Sequence, residues 1–170
     1  GAYPGAARLD QLAEQVKQAL GDTPVTKVTV DSSLYTGPAY GPGWDDDIQA
    51  IGCSGPITAL MVDSGYVDPK KTGCSPRHTQ PHLVAGRAFA KALGAPPEVV
   101  KKVGEGTAPG SPAQTGNSLA ASPETAGSGN PVPGAELGRV ESPPVIRLVE
   151  FMLEDSDNVV AEALARQVAL

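Results

Sequence analysis

Residues 142–170, SPPVIRLVEFMLEDSDNVVAEALARQVAL, hold two helical patterns separated by three small polar residues. In the first, Val145, Leu148, Val149, Met152 and Leu153 recur at spacings of three and four, so one face is apolar. Ser142 stands where an N-cap belongs, and Pro143 suits the first helical position because its missing N–H would be unpaired there anyway. In the second, Val160, Ala163, Leu164 and Val168 form another apolar stripe. Neither stripe has an obvious partner nearby in sequence. The pair reads as a piece of a helical core.

Upstream the patterns alternate. AARLDQLAEQVKQALG (6–21) is an amphipathic helix closed by Gly21, and TQPHLVAGRAFAKALG (79–94) is a second, with Pro81 in its first turn and Gly94 after its last. VTKVTV (25–30), the apolar run at 57–62 and EVVKKVGEG (98–106) read as strands. Helices alternating with apolar strands predict an α/β fold: a small, mainly parallel sheet with flanking helices, followed by the C-terminal helix pair. From 104 to 134 the chain is almost entirely Gly, Pro, Ser, Ala and Thr, without period. Such a composition cannot offset the entropy of ordering, so about 106–133 is expected to be a flexible surface loop.

The 170 residues carry 13 basic and 19 acidic side chains, a net charge of -6. No basic stripe is available to neutralise phosphates, which argues against nucleic acid. No apolar run approaches the ~20 residues of a spanning helix. The opening GAYPGAARLDQ has neither the basic start nor the apolar stretch of a signal peptide. Cys53 and Cys74 are the only cysteines. In an acidic chain rich in Pro and Gly they fit one disulfide and an oxidising compartment, the alternative being two unrelated buried thiols. Cys74, His78 and His82 do not make a convincing zinc set, because Pro81 interrupts the His-to-His segment and no close CxxC exists. Solvated loop histidines are expected instead, with no metal and no cofactor.

Ser156-Asp157-Asn158 admits two readings. Taken alone it is a turn and an N-cap, the ordinary place for these residue types. It also matches the second of the three motifs, S-x-x-K, S-D-N and K-T-G, of penicillin-recognising acyl-serine enzymes. A hydroxyl there can relay a proton to a leaving amine, and an amide two positions on can both donate to and accept from a substrate peptide group. Residues i and i+2 diverge on a helix, so both reach one cleft only if the triplet forms a turn.

The surrounding residues favour the second reading. SPPVIRLVEFMLEDSDNVVAEALARQ (142–167) resembles the class C penicillin-binding proteins, D-alanyl-D-alanine carboxypeptidase/endopeptidases in which a Ser-Pro-Pro helix leads to S-x-N and then to NxxAExL, here Asn158, Ala161, Glu162 and Leu164. VTVDSSLYTGPAYGPGW (28–44), GPITALMVDSG (55–65), LVAGRAFAKALG (83–94) and GTAP (106–109) are similar to further segments of that family. The resemblance spans nearly everything except about 110–133. It implies that residues 1–141 are an α/β domain inserted between S-x-x-K and S-x-N, and that 142–170 return to the transpeptidase domain. No S-x-x-K occurs in the chain, so this fragment alone is expected to be inactive. Lys71-Thr72-Gly73 precedes S-x-N and sits in a turn-like stretch, which disqualifies it as the third motif.

The resemblance also implies that Trp44 and Asp47 overhang the substrate cleft, where the carboxylate can pair with the ammonium end of a diaminopimelate-type side chain. An acidic helix N-terminus with a packed Trp stays open as the alternative. The implied protein is an exported, extracytoplasmic serine-type carboxypeptidase acting on peptidoglycan stem peptides. Its partners are β-lactams and the remaining parts of the transpeptidase domain. Ser156 and Asn158 are catalytic, and Trp44 and Asp47 bind substrate. A non-catalytic accessory module that positions peptidoglycan or a partner protein is the competing reading.

Overall fold

A computed structural model describes residues 5–35, 37–102 and 134–169. The order of elements is α1 (Leu9–Leu20), β1 (Val28–Val30), α2 (Pro81–Leu93), β2 (Val100–Lys102), α3 (Val145–Asp155) and α4 (Asn158–Val168). The fold is mixed α/β. β1 and β2 pair in parallel, with Val28 opposite Val100 and Val30 opposite Lys102. A parallel pair needs a long crossover, and α2 lies within it. The loop expected at 106–133 and the GTAP segment lie outside the described residues.

α2 packs against α1 and against both strands. The apolar period of α1 buries Ala13 and Val16, and the β-branched run buries Val28 and Val30. α2 contributes Ala85 and Ala90, and approaches the sheet so closely that only glycine fits at position 86. A Cβ on Gly86 would lie 2.4 Å from Val30 Cγ1 and 2.8 Å from Val100 Cγ1. Both helices stop at the expected glycines, with Gly94 left-handed at φ 80° and its N–H returned to Ala90 and Lys91 carbonyls. The segment before α3 runs back along α1, where Gln15 exchanges two hydrogen bonds with the backbone of Arg139 (3.0 and 2.8 Å).

Three local expectations need correction. Residues 57–62 form no strand; Ile57 is buried and donates to the Ala39 carbonyl, but the Thr58 hydroxyl bonds the Leu60 carbonyl and turns the chain locally. α3 begins at Val145 with Pro144 as its N-cap, and Ser142 caps nothing. A residue before proline is pushed out of the helical region, so Pro143 cannot be helical ahead of Pro144. His82 is not a solvated loop residue but is buried in the first turn of α2.

α3 and α4 are consecutive helices that meet at the Ser156–Asp157 turn and pack against each other. Val145, Ile146 and Leu153 of α3 and Val168 of α4 remain largely exposed. An open, mostly apolar cavity of about 660 Å³ separates this pair from the 58–72 loop, with Met61, Val62, Leu148, Val160 and Leu164 among its lining. Among the described residues, no helix is long and apolar enough to cross a membrane.

Candidate active site

The triplet divides its labour by position. Ser156 closes α3 in the left-handed region (φ 51°, ψ 44°), a conformation that usually falls to glycine. Asp157 is the extended N-cap of α4, and its Oδ1 accepts from the N–H groups of Val159 (2.9 Å) and Val160 (3.1 Å). Asn158 is the first helical residue. The two readings of the triplet are therefore physically compatible: the capping residue is the middle one, which is buried, while Ser156 and Asn158 are both exposed. A turn between the two helices, which the catalytic reading requires, is present.

Beneath that turn lies a charge network that the sequence did not reveal. Arg77 Nη2 donates to Asp157 Oδ1 at 3.2 Å, and the two side chains are 1% and 0% exposed. The same nitrogen donates to the Tyr66 hydroxyl at 2.8 Å, and Nη1 donates to the Ser64 carbonyl. The guanidinium carbon also stands 3.8 Å from the centroid of the Tyr66 ring. Tyr66 and Arg77 are held opposite each other by an antiparallel bridge, with Val67 N donating to Pro76 O and His78 N to Gly65 O. Burial pushes the Tyr66 hydroxyl above its usual range; the Asp157 charge adds to that and Arg77 opposes it. Tyr66 thus keeps its proton at neutral pH and donates it to the Gly73 carbonyl at 3.0 Å. Nothing in the local text SPRHTQP (75–81) marks Arg77, since its carboxylate is 80 positions away.

Tyr35, Pro38 and Cys53 make further contacts to α4. Asn158 Nδ2 donates to the Cys53 carbonyl at 2.9 Å, the Tyr35 hydroxyl donates to Ala163 O at 3.1 Å, and Arg166 donates to Pro38 O at 2.8 Å. One amide hydrogen of Asn158 is thereby fixed, which orients the second hydrogen and the amide oxygen. Cys53 is joined to Cys74 in a disulfide, so the carbonyl that holds Asn158 is cross-linked to the loop that leads to Arg77. Gly52 lets these two loops touch: a Cβ there would meet the Ser75 backbone at 2.6 Å.

Trp44 and Asp47 lie in the same stretch, between Pro38 and Cys53. Trp44 is half-buried over Gly41 and meets the Tyr40 ring edge-on, with centroids 6.4 Å apart. Asp47 is exposed, and residues 45–52 form successive turns rather than a helix, with Ile48 N bonded to Asp45 O and Ile51 N to Asp47 O. Cys53 N bonds Ile48 O, which connects this loop to the carbonyl beneath Asn158. Lys71-Thr72-Gly73 lies outside any strand. Among the described residues no group of His, Cys, Asp and Glu is arranged to hold a metal ion.

Residues 5–76 match the D-Ala-D-Ala carboxypeptidase 3 (S13) family. The chain is 37% identical over 168 residues to Carboxypeptidase Rv3627c of Mycobacterium tuberculosis, covering 99% of this chain and 30% of that protein. It is 38% identical over 167 residues to Carboxypeptidase DacB of Mycolicibacterium smegmatis, covering 98% of this chain and again 30% of the relative. The chain thus spans less than a third of the length of these relatives. No solved structure matches it.

Proposed function

We propose that this chain is part of a serine-type D-alanyl-D-alanine carboxypeptidase/endopeptidase that trims peptidoglycan stem peptides through an acyl-serine intermediate. The observation that carries the reading is similarity to two carboxypeptidases along almost the whole chain, including the turn that exposes Ser156 and Asn158. In this reading residues 1–141 are an inserted α/β domain and 142–170 are part of the transpeptidase domain. The exposed apolar faces of α3 and α4 are where the remaining parts of that domain pack.

The chemistry follows from the groups present. A serine oxygen outside this chain attacks the penultimate D-alanine carbonyl, forming an ester as the bond to the terminal D-alanine nitrogen breaks. The Ser156 hydroxyl passes a proton to that departing amine and recovers one from the nucleophile's side. The Asn158 amide, already oriented by the Cys53 carbonyl, holds the substrate peptide group. The Asp47 carboxylate meets a cationic stem-peptide side chain beside Trp44. β-Lactams acylate the same serine. The disulfide suits an extracytoplasmic enzyme.

The test uses the full-length protein. Fluorescent penicillin should label it covalently and D-alanine should be released from a stem pentapeptide. Ser156→Ala should lower turnover by about 10²–10⁴-fold with substrate affinity little changed. If Ser156 serves only the helix end, turnover per folded molecule stays normal. A protein that neither takes the label nor releases D-alanine is an accessory module instead.

A further inference from the structure

We propose that Arg77 is a positioning residue for acyl transfer, acting through Asp157 to set the placement of Ser156 and Asn158. This rests on the reading of the Ser156–Asn158 turn given above. The Arg77–Asp157 pair is buried, unlike Arg8–Asp10, Arg139–Glu136, Arg147–Glu150 and Arg166–Glu162, which are all at least partly in solvent. Burying two charges costs more than their attraction returns unless both are well bonded, so such a pair is a poor device for stability alone. Here Arg77 Nε and Asp157 Oδ2 are buried without a protein partner. An N-cap needs only a hydroxyl or amide oxygen, so α4 itself does not require a carboxylate at 157.

What the pair does provide is direction. Asp157 is gripped on one oxygen by two α4 N–H groups and by Arg77, and the guanidinium is fixed in turn by Ser64 O, the Tyr66 hydroxyl and the Tyr66 ring. The Arg77 stem is backed by Gly55, where a Cβ would come within 3.0 Å of it. The helix start can neither rotate nor slide without breaking this fork. Backbone strain gathers at the same place: the non-glycine residues with positive φ among those described are Asp63, Ser64 and Ser156. One supplies the carbonyl that Arg77 binds, one precedes it, and the third adjoins Asp157. Strained conformations persist where their surroundings over-determine them, and the rigid fork does that here.

The experiment uses the full-length protein and three variants. Arg77→Lys keeps the buried charge but loses the planar fork that serves three partners at once. It should lower kcat for D-alanine release and the penicillin acylation rate by about 10–100-fold, the scale of a small misplacement, while KM changes little. Hydrogen exchange should rise in the peptide 152–162 and stay unchanged in 9–20. Normal kcat per folded molecule, or exchange that rises equally in both peptides, overturns the proposal. The double variant Arg77→Met/Asp157→Asn removes the lone buried charge and keeps a capping oxygen. Its melting temperature should recover relative to Arg77→Met while kcat stays depressed; recovery of both together makes Arg77 purely structural. Should the wild-type protein take no penicillin, the carboxypeptidase reading fails, and selective exchange at 152–162 still decides whether Arg77 fixes the turn.

Discussion

The layer built from α1, α2 and the two strands and the pair built from α3 and α4 carry the same kind of amphipathic sequence, yet they end differently. In the layer, small residues let backbones close up: Gly86 sits against Val30 and Val100, and Ala13, Val16, Ala85 and Ala90 are buried. In the pair, no α3 residue is buried, and Leu153 and Val168 stay 68% and 89% exposed. What α4 does bury at its start is Val159 and the charged Asp157. Packing holds the first region, whereas directed polar contacts hold the second. An apolar period announces that a face must be covered, but not what covers it.

The largest effect should come from breaking the polar anchor. Asp157→Ala removes the cap and leaves the Arg77 guanidinium buried without its counter-charge, a loss of about 3–5 kcal/mol. Urea denaturation checks it, and a loss under about 1 kcal/mol would mean that the second region is held by packing after all.

Next comes the exposed face of α3. Leu153→Gln should change the stability of the 170-residue chain by no more than about 0.5 kcal/mol, as at any exposed site. In the full-length protein, where the remaining parts of the transpeptidase domain are proposed to cover α3, it should cost about 1.5–3 kcal/mol. Equal effects in the two contexts would show that the face stays uncovered.

The smallest concerns the packed layer. Gly86→Ala gains about 1 kcal/mol of helix propensity but forces a methyl against Val30 and Val100, which overpacks the layer by about 1–3 kcal/mol. A small net loss of melting temperature is expected. A stabilised variant would show that α2 can lift off the sheet freely, removing the contrast between the regions.

These differences follow how far each feature reaches along the chain. α1 and α2 were legible because their period and their closing glycines are local, and the parallel pair because VTKVTV and EVVKKV are β-branched runs. The segment 57–62 misled because its apolar run has no strand to pair with. The start of α3 was displaced by two residues because the second proline overrules the first. At the candidate site, the turn and the cysteine pairing could be read from residue types alone. Arg77 and Tyr66 could not: an arginine inside a proline-rich loop looks like any solvated charge until the chain brings Asp157 to it.

The position of that ion pair bears on how such proteins can be recombined. The boundary proposed between residues 141 and 142 separates Arg77 from Asp157, Cys53 from Asn158, Tyr35 from Ala163 and Pro38 from Arg166. By sequence the first 141 residues look like a cassette, but energetically they are one half of a joint. A chimera that exchanged the cassette between relatives would carry over a buried guanidinium, and the recipient would need a carboxylate at the matching helix start. Grafts of this kind should succeed in pairs of segments and fail singly, so the unit of inheritance is the cassette together with the first turn of α4.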